Sequence, residues 1–166
     1  MQSNFLEKDL EDIIIDNIPN IYERGFPKLY ANVIRQFHTI SNRRIDIFAF
    51  EIVNNILYAQ IIELKKDSCG VDAMRQVIEY YDDILIGVYK SYDDFFIDII
   101  LVGKEIDYDL CRFNYLTPHL SLYQYKYDYD GIKFIKDGVY IENCKNKNNA
   151  QNKETEISIR LNKQQQ

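Results

Sequence analysis

The sequence is poor in the residues that build several common kinds of site. Its three cysteines, Cys69, Cys111 and Cys144, lie far apart without a Cys-x-x-Cys pair, and its only histidines are His38 and His119. That spacing excludes the usual zinc frameworks, and the cysteines read as structural thiols of a reducing compartment. No apolar run approaches the roughly 18 residues of a membrane span. The stretch Phe95–Val102 is too short and carries Asp98. Met1–Glu7 lacks the basic and apolar regions of a secretory signal, so a cytoplasmic location and no membrane partner are expected. Internal repeats are absent. An excess of positive charge is missing too: the formal net charge of -6 argues against a generic nucleic-acid coat. It leaves room for an enzyme that touches a few phosphates in one cleft.

What is present suits one folded domain. A chain of 166 residues, 46% hydrophobic and rich in Ile, Tyr and Phe, can bury a sizeable core without staples. Apolar positions at helical spacing predict a helix over 5–17, with Ser3-Asn4 as its cap and Pro19 ending it. Gly25-Phe26-Pro27 marks a loop. Strands are expected over 32–40, 44–52 and 56–65, the last two joined by Asn54-Asn55 as a hairpin. In the second strand, alternation puts Ile45, Ile47 and Ala49 on one face and Asp46, Phe48 and Phe50 on the other. The unbroken Ile61-Ile62 suits a strand buried on both faces. A helix from 70 to 89, capped by Asp72 and buried through Ala73, Val77, Tyr80 and Ile84, precedes a strand over 96–102. Residues 106–116 can form a short helix, and Asp130-Gly131 joins strands 121–129 and 132–136. The expected class is α/β: a central mixed sheet flanked by helices in an α-β-β-β-α-β core. Residues 1–140 form the domain, with a C-terminal hairpin at about 119–137, and 141–166 read as a polar, poorly ordered tail.

Chemistry concentrates where the second and third strands end. Asp46 interrupts one apolar strand, and Glu63 and Lys65 close the next. Glu63 and Lys65, two apart, project on the same face, while Leu64 points into the core with its carbonyl still exposed to that edge. If the strands are neighbours, two carboxylates and a lysine converge. Divalent metals acting on phosphodiesters take such hard oxygen ligands, completed by water and substrate. A lysine beside them can orient the attacking water or offset charge on the phosphate. Alone, a Glu-x-Lys on a strand is usually an ion pair; charges at the end of an apolar strand are costly unless employed.

Set in order, these residues resemble the PD-(D/E)XK nuclease superfamily, closest to the nuclease domain of NucS-type endonucleases. The resemblance runs from Phe5 to about Tyr125. It comprises Glu7-Lys8-Asp9-Leu10-Glu11, Gly25-Phe26, Arg44-Ile45-Asp46, Ile62-Glu63-Leu64-Lys65-Lys66, and Ala73-Met74-Arg75-Gln76 followed by Tyr80. Each motif is weak alone; their order and spacing are specific. The resemblance implies a restriction-endonuclease-like sandwich and a Mg2+- or Mn2+-dependent (endo)deoxyribonuclease. Asp46, Glu63 and the Leu64 carbonyl would hold the metal, and Lys65 would be the catalytic lysine. Glu7 would assist from the first helix, with Glu11 one turn on as a further acid. Gln76 would reach in from the second helix. Tyr80 lies on its side of that helix, and a core role is favoured for it. Arg44 and Lys66 are candidates for phosphate contact.

The motifs matched here fall in the nuclease domain of NucS-type proteins and not in their additional DNA-binding domain, so their mismatch or branch recognition is not implied. DNA is expected ahead of RNA as the nucleic-acid partner, and a homodimer would suit double-strand cutting. The hairpin and tail beyond Tyr125 are candidates for a protein partner. The tyrosines of Tyr123–Tyr129 can stack bases, but a half-buried hairpin explains them better. Asp82-Asp83 and Asp93-Asp94 read as solvated acids. The competing reading is a catalytically silent nuclease-like module that binds nucleic acid or a partner protein.

Overall fold

In the computed structural model, described over residues 5–110 and 119–136, six strands form one sheet in the order β1-β2-β3-β4-β5-β6. The first helix, α1, spans Glu7–Asp16 and buries Leu10, Glu11 and Ile14. Its cap position is Leu6, whose N–H donates to Asp9 Oδ2 at 2.7 Å, in place of the expected Ser3-Asn4. β1 (Asn32–His38), β2 (Arg44–Val53) and β3 (Ile56–Cys69) form an antiparallel meander. Asn54 and Asn55 turn it with φ of 51° and 62°, the left-handed pair that a two-residue hairpin requires. α2 (Val71–Val88) then crosses over to β4 (Asp94–Ile106), which pairs parallel with β3. Gly70, extended, takes the cap position expected for Asp72. β5 (Leu120–Asp128) is parallel to β4, and β6 (Gly131–Lys136) returns antiparallel. β4 is longer than expected and runs through Ile106; 111–118 and the tail from 137 lie outside the described residues. Among the described residues, no helix is long and apolar enough to cross a membrane.

Each sheet face carries its own core. On one side Ala73, Met74, Val77, Tyr80 and Ile84 of α2 cover Leu57, Ala59, Ile61 and Ile99. On the other, Leu10 and Ile14 of α1 cover Ile47, Ile62, Leu64 and Ile100. Burial on both sides is why β3 is apolar without alternation. The C-terminal hairpin belongs to this second core through Tyr125, Ile132 and Phe134. Gly25 (φ +92°) lies so close to β6 that a Cβ there would stand 2.3 Å from the Phe134 carbonyl oxygen. Beside it, Phe134 N–H donates to the Arg24 carbonyl at 2.8 Å, and Arg24 Nε donates to the Ile132 carbonyl at 2.8 Å.

One expectation fails informatively. Ile45 and Ile47 do not share a face: Ile45 packs in the α2-side core, Ile47 in the α1-side core. Opposite them Phe37 packs toward α2, while Arg35 bonds to Glu11 of α1. The ladder pairs Arg35 with Ile47 and Phe37 with Ile45, so both strands change faces at one step, occupied by Gln36 and Asp46. Gln36 has a φ of 49°. A left-handed residue there breaks the strand period, at a cost of about 1–3 kcal/mol.

Candidate active site

The β2–β3 ladder ends at Ile47 and Ile62, one step before Asp46 would face Glu63. There the Asp46 side chain replaces backbone pairing: its Oδ2 accepts from Leu64 N–H at 2.9 Å. Beyond that step β3 stays paired with β4, with a register shift between Lys65 and Ser68. The splayed strands leave Asp46 and Glu63 as neighbours, and repulsion by the Asp46 charge acts on Glu63.

On the α2 side a chain of hydrogen bonds links four of the sequence-predicted residues. Lys65 Nζ donates to Glu63 Oε1 at 2.7 Å and to Gln76 Oε1 at 3.2 Å. Gln76 Nε2 donates to Tyr80 Oη at 2.5 Å. The helix period puts Gln76 and Tyr80 one turn apart on the face that meets β3. Tyr80 also packs in the core, and burial pushes its hydroxyl up to about 12.

On the α1 side lies a cleft of about 640 Å³ lined by Glu7, Glu11, Gln36, Arg44, Asp46 and Lys66, among others. Glu7 is exposed at its mouth, and Glu11 is buried. Glu11 Oε1 accepts from Arg35 Nε at 2.6 Å, and its Oε2 accepts from Gln36 Nε2. Gln36 Nε2 also donates to Asp46 Oδ1 at 3.5 Å. Arg44 and Lys66 are exposed at this cleft. The Lys66 carbonyl accepts from Tyr125 Oη, which ties the C-terminal hairpin to the residue after Lys65.

Glu63 is 2% exposed, and burial first, then the Asp46 charge, pushes its carboxyl up to about 8 despite Lys65. Burial likewise raises Asp46, opposed by the Leu64 N–H and Lys65. Burial alone would lower Lys65; the hydrogen bond and charge of Glu63 outweigh it and raise it. Glu63 Oε2 is buried with no hydrogen-bond partner. A hard divalent cation would fit both observations, since it would neutralise the paired carboxylates and take the orphaned oxygen. The donor set is sparse: among the described residues no three His, Cys, Asp or Glu side chains form a group able to hold a metal. Two carboxylates and a backbone carbonyl suit Mg2+ or Mn2+, which keep water and substrate oxygens as further ligands.

Sequence reasoning missed Arg35 and Gln36, whose only sequence signal is a basic and a polar residue between the apolar Val33-Ile34 and Phe37. It also misread Asp83, taken for a solvated acid. Asp83 is buried and accepts from Thr39 Oγ1 at 2.6 Å, Ser41 Oγ at 2.9 Å and Arg43 at 3.3 Å. It pins the β1–β2 turn to α2, and Arg43 adds Glu79 at 3.2 Å.

A mixed sheet with a helix on each face, and an acid and a Glu-x-Lys at the point where two strands part, has a restriction-endonuclease-like fold. The chain is similar in structure to a repair endonuclease from Pyrococcus abyssi, with TM-score 0.53 and 15% identity over 75% of this chain and 48% of that one. EndoMS in its apo form is similar at TM-score 0.44 and 16% identity, over 73% of this chain and 46% of that chain. This chain thus spans about half the length of either. No protein-family model matches it, and no curated protein matches it in sequence.

Proposed function

We propose that this protein is a divalent-metal-dependent nuclease that hydrolyses phosphodiester bonds of DNA. The observation that carries this reading is the meeting of Asp46, Glu63 and Lys65, with the buried Glu63 Oε2 left unpartnered. Asp46, Glu63 and the Leu64 carbonyl would hold Mg2+ or Mn2+. Bound there, the ion would polarise the scissile phosphate and ease ionisation of the attacking water. The protein does the positioning. Lys65 is held by Glu63 and Gln76, and its ammonium would orient the water and offset charge on the phosphate. Arg44 and Lys66, exposed at the acid-lined cleft, would receive phosphates flanking the cut. Glu7, at the cleft mouth, would help place the ion or its water. Water adds to phosphorus as the bond to the leaving sugar oxygen breaks, and that oxygen takes a proton.

DNA is favoured because the structural neighbour is a repair endonuclease. The net charge of -6 favours the second reading, a binding module without catalysis. One experiment separates them: purified protein with single-stranded, duplex and flap DNA and with RNA, in Mg2+ or Mn2+, beside Glu63→Gln. Metal-dependent cleavage that vanishes in Glu63→Gln is expected. Cleavage that persists in EDTA or in the variant would overturn the assignment, as would none on any substrate.

A further inference from the structure

We propose that Gln36 is a positioning residue of this site, held in a left-handed backbone conformation so that one amide ties Glu11 of α1 to Asp46 of β2. The proposal rests on the nuclease reading for its catalytic consequence, but its geometry stands apart from it. Both neighbours of the amide are carboxylates, which only accept; the donating NH2 must therefore face them, and the amide orientation follows from chemistry. Glu11 is 2% exposed and is further held by Arg35, so the amide is anchored at its α1 end. At the other end it reaches Asp46 Oδ1, while Leu64 N–H occupies Oδ2. Asp46 thereby has a partner at each oxygen, a firm one at Oδ2 (2.9 Å) and a longer one at Oδ1 (3.5 Å), with a lone pair on each to spare.

The backbone carries the second half of the inference. Gln36 is neither Gly nor Asn, yet it has a φ of 49° in the middle of a strand. A residue kept in that region must be over-determined by its surroundings, and such residues gather at functional sites. Here the conformation has a visible result. It reverses the face of β1 opposite Asp46, so that the Gln36 side chain lines the cleft with Glu11 and Asp46.

Gln36→Gly and Gln36→Ala separate positioning from plain stability. Both delete the amide, but only glycine adopts this φ without penalty. Three quantities are measured in each: Tm without divalent cations, the Tm shift on adding Mn2+, and kcat and KM on DNA. Gln36→Gly is expected to be clearly more stable than Gln36→Ala. Both should nevertheless lose the Mn2+ response alike, and kcat should fall roughly 10- to 100-fold in both, as for other residues that orient metal ligands. KM for DNA should stay within about threefold, because phosphate contacts are untouched. The proposal is overturned if Gln36→Gly responds to Mn2+ and cleaves like the wild type, or if lost function simply follows lost Tm. A wild type that binds Mn2+ yet cleaves nothing refutes the nuclease reading alone, and the Mn2+ shifts of the variants still decide the role of Gln36. A wild type without a Mn2+ response refutes both.

Discussion

Asp46 and Glu63 occupy facing positions one step beyond the last paired residues of β2 and β3, Ile47 and Ile62. At that step Asp46 takes Leu64 N–H with its side chain, at 2.9 Å, and the strands part. The arrangement gives up a ladder position to bring the half-buried Asp46 beside the buried Glu63. It leaves the protein with a charge cluster that its own groups only partly offset.

The clearest consequence concerns Glu63. A carboxyl whose folded value is raised from 4.5 to about 8 favours the protonated form in the fold, so it costs stability as pH rises through that window. Glu63→Gln removes the charge and keeps an oxygen for Lys65. Without divalent cations the variant is expected to gain on the wild type between pH 4.5 and 8, reaching about 1–2 kcal/mol at the upper end. Urea unfolding across pH in EDTA measures this. A variant less stable than wild type at pH 8 would show that Glu63 is already satisfied.

Asp83 has the opposite sign. Its hydrogen bonds from Thr39, Ser41 and Arg43 hold it below the usual carboxylate range despite burial. Its contribution is complete above the unfolded value of 3.8 and is lost as pH falls through the lower folded value. Asp83→Asn is expected to cost about 1–2 kcal/mol at pH 7, and the gap to wild type should close below pH 3.8. Equal stability of the two proteins at pH 7 would mean that the turn does not need this clamp.

Gly25 tests how the C-terminal hairpin is seated. A Cβ at 2.3 Å from the Phe134 carbonyl oxygen cannot be accommodated without moving β6, and φ of +92° disfavours any side chain. Gly25→Ala is expected to destabilise by about 2–4 kcal/mol. Hydrogen exchange should quicken in β5 and β6 before it does in β2 and β3.

Tyr80 divides its service between the core and Gln76. Tyr80→Phe removes only the hydroxyl that accepts from Gln76. A loss of about 1 kcal/mol and a severalfold drop in kcat are expected. Tyr80→Ala opens a cavity in the α2-side core and should cost about 3–5 kcal/mol. Equal activity of Tyr80→Phe and wild type would assign Tyr80 to packing alone.

Much of the fold was legible because its signals are local. Asn54-Asn55 can hold two left-handed residues, the stripe of Ala73, Val77, Tyr80 and Ile84 admits one buried helix face, and Ile61-Ile62 asks for cover on both sides. Where the reading failed, the cause was not local. Period-two alternation placed Ile45 with Ile47, but a left-handed Gln36 on the neighbouring strand is matched by a change of face. Asp83 was taken for a surface acid because its three partners lie some forty positions earlier, on the β1–β2 turn.

For this protein, sequence alone determined which chemical groups are available and in what order: an acid, then Glu-x-Lys, then a glutamine on a helix. Their strand and helix addresses follow from residue spacing, because side-chain direction repeats with backbone geometry. Only the tertiary structure decided that Asp46 would surrender a ladder position to Leu64 N–H, and that Glu11 would be buried against Arg35 and Gln36. Those outcomes depend on which strands splay and which carboxylates lose water. Both are set by packing between elements distant in the chain, where desolvation outweighs any local preference.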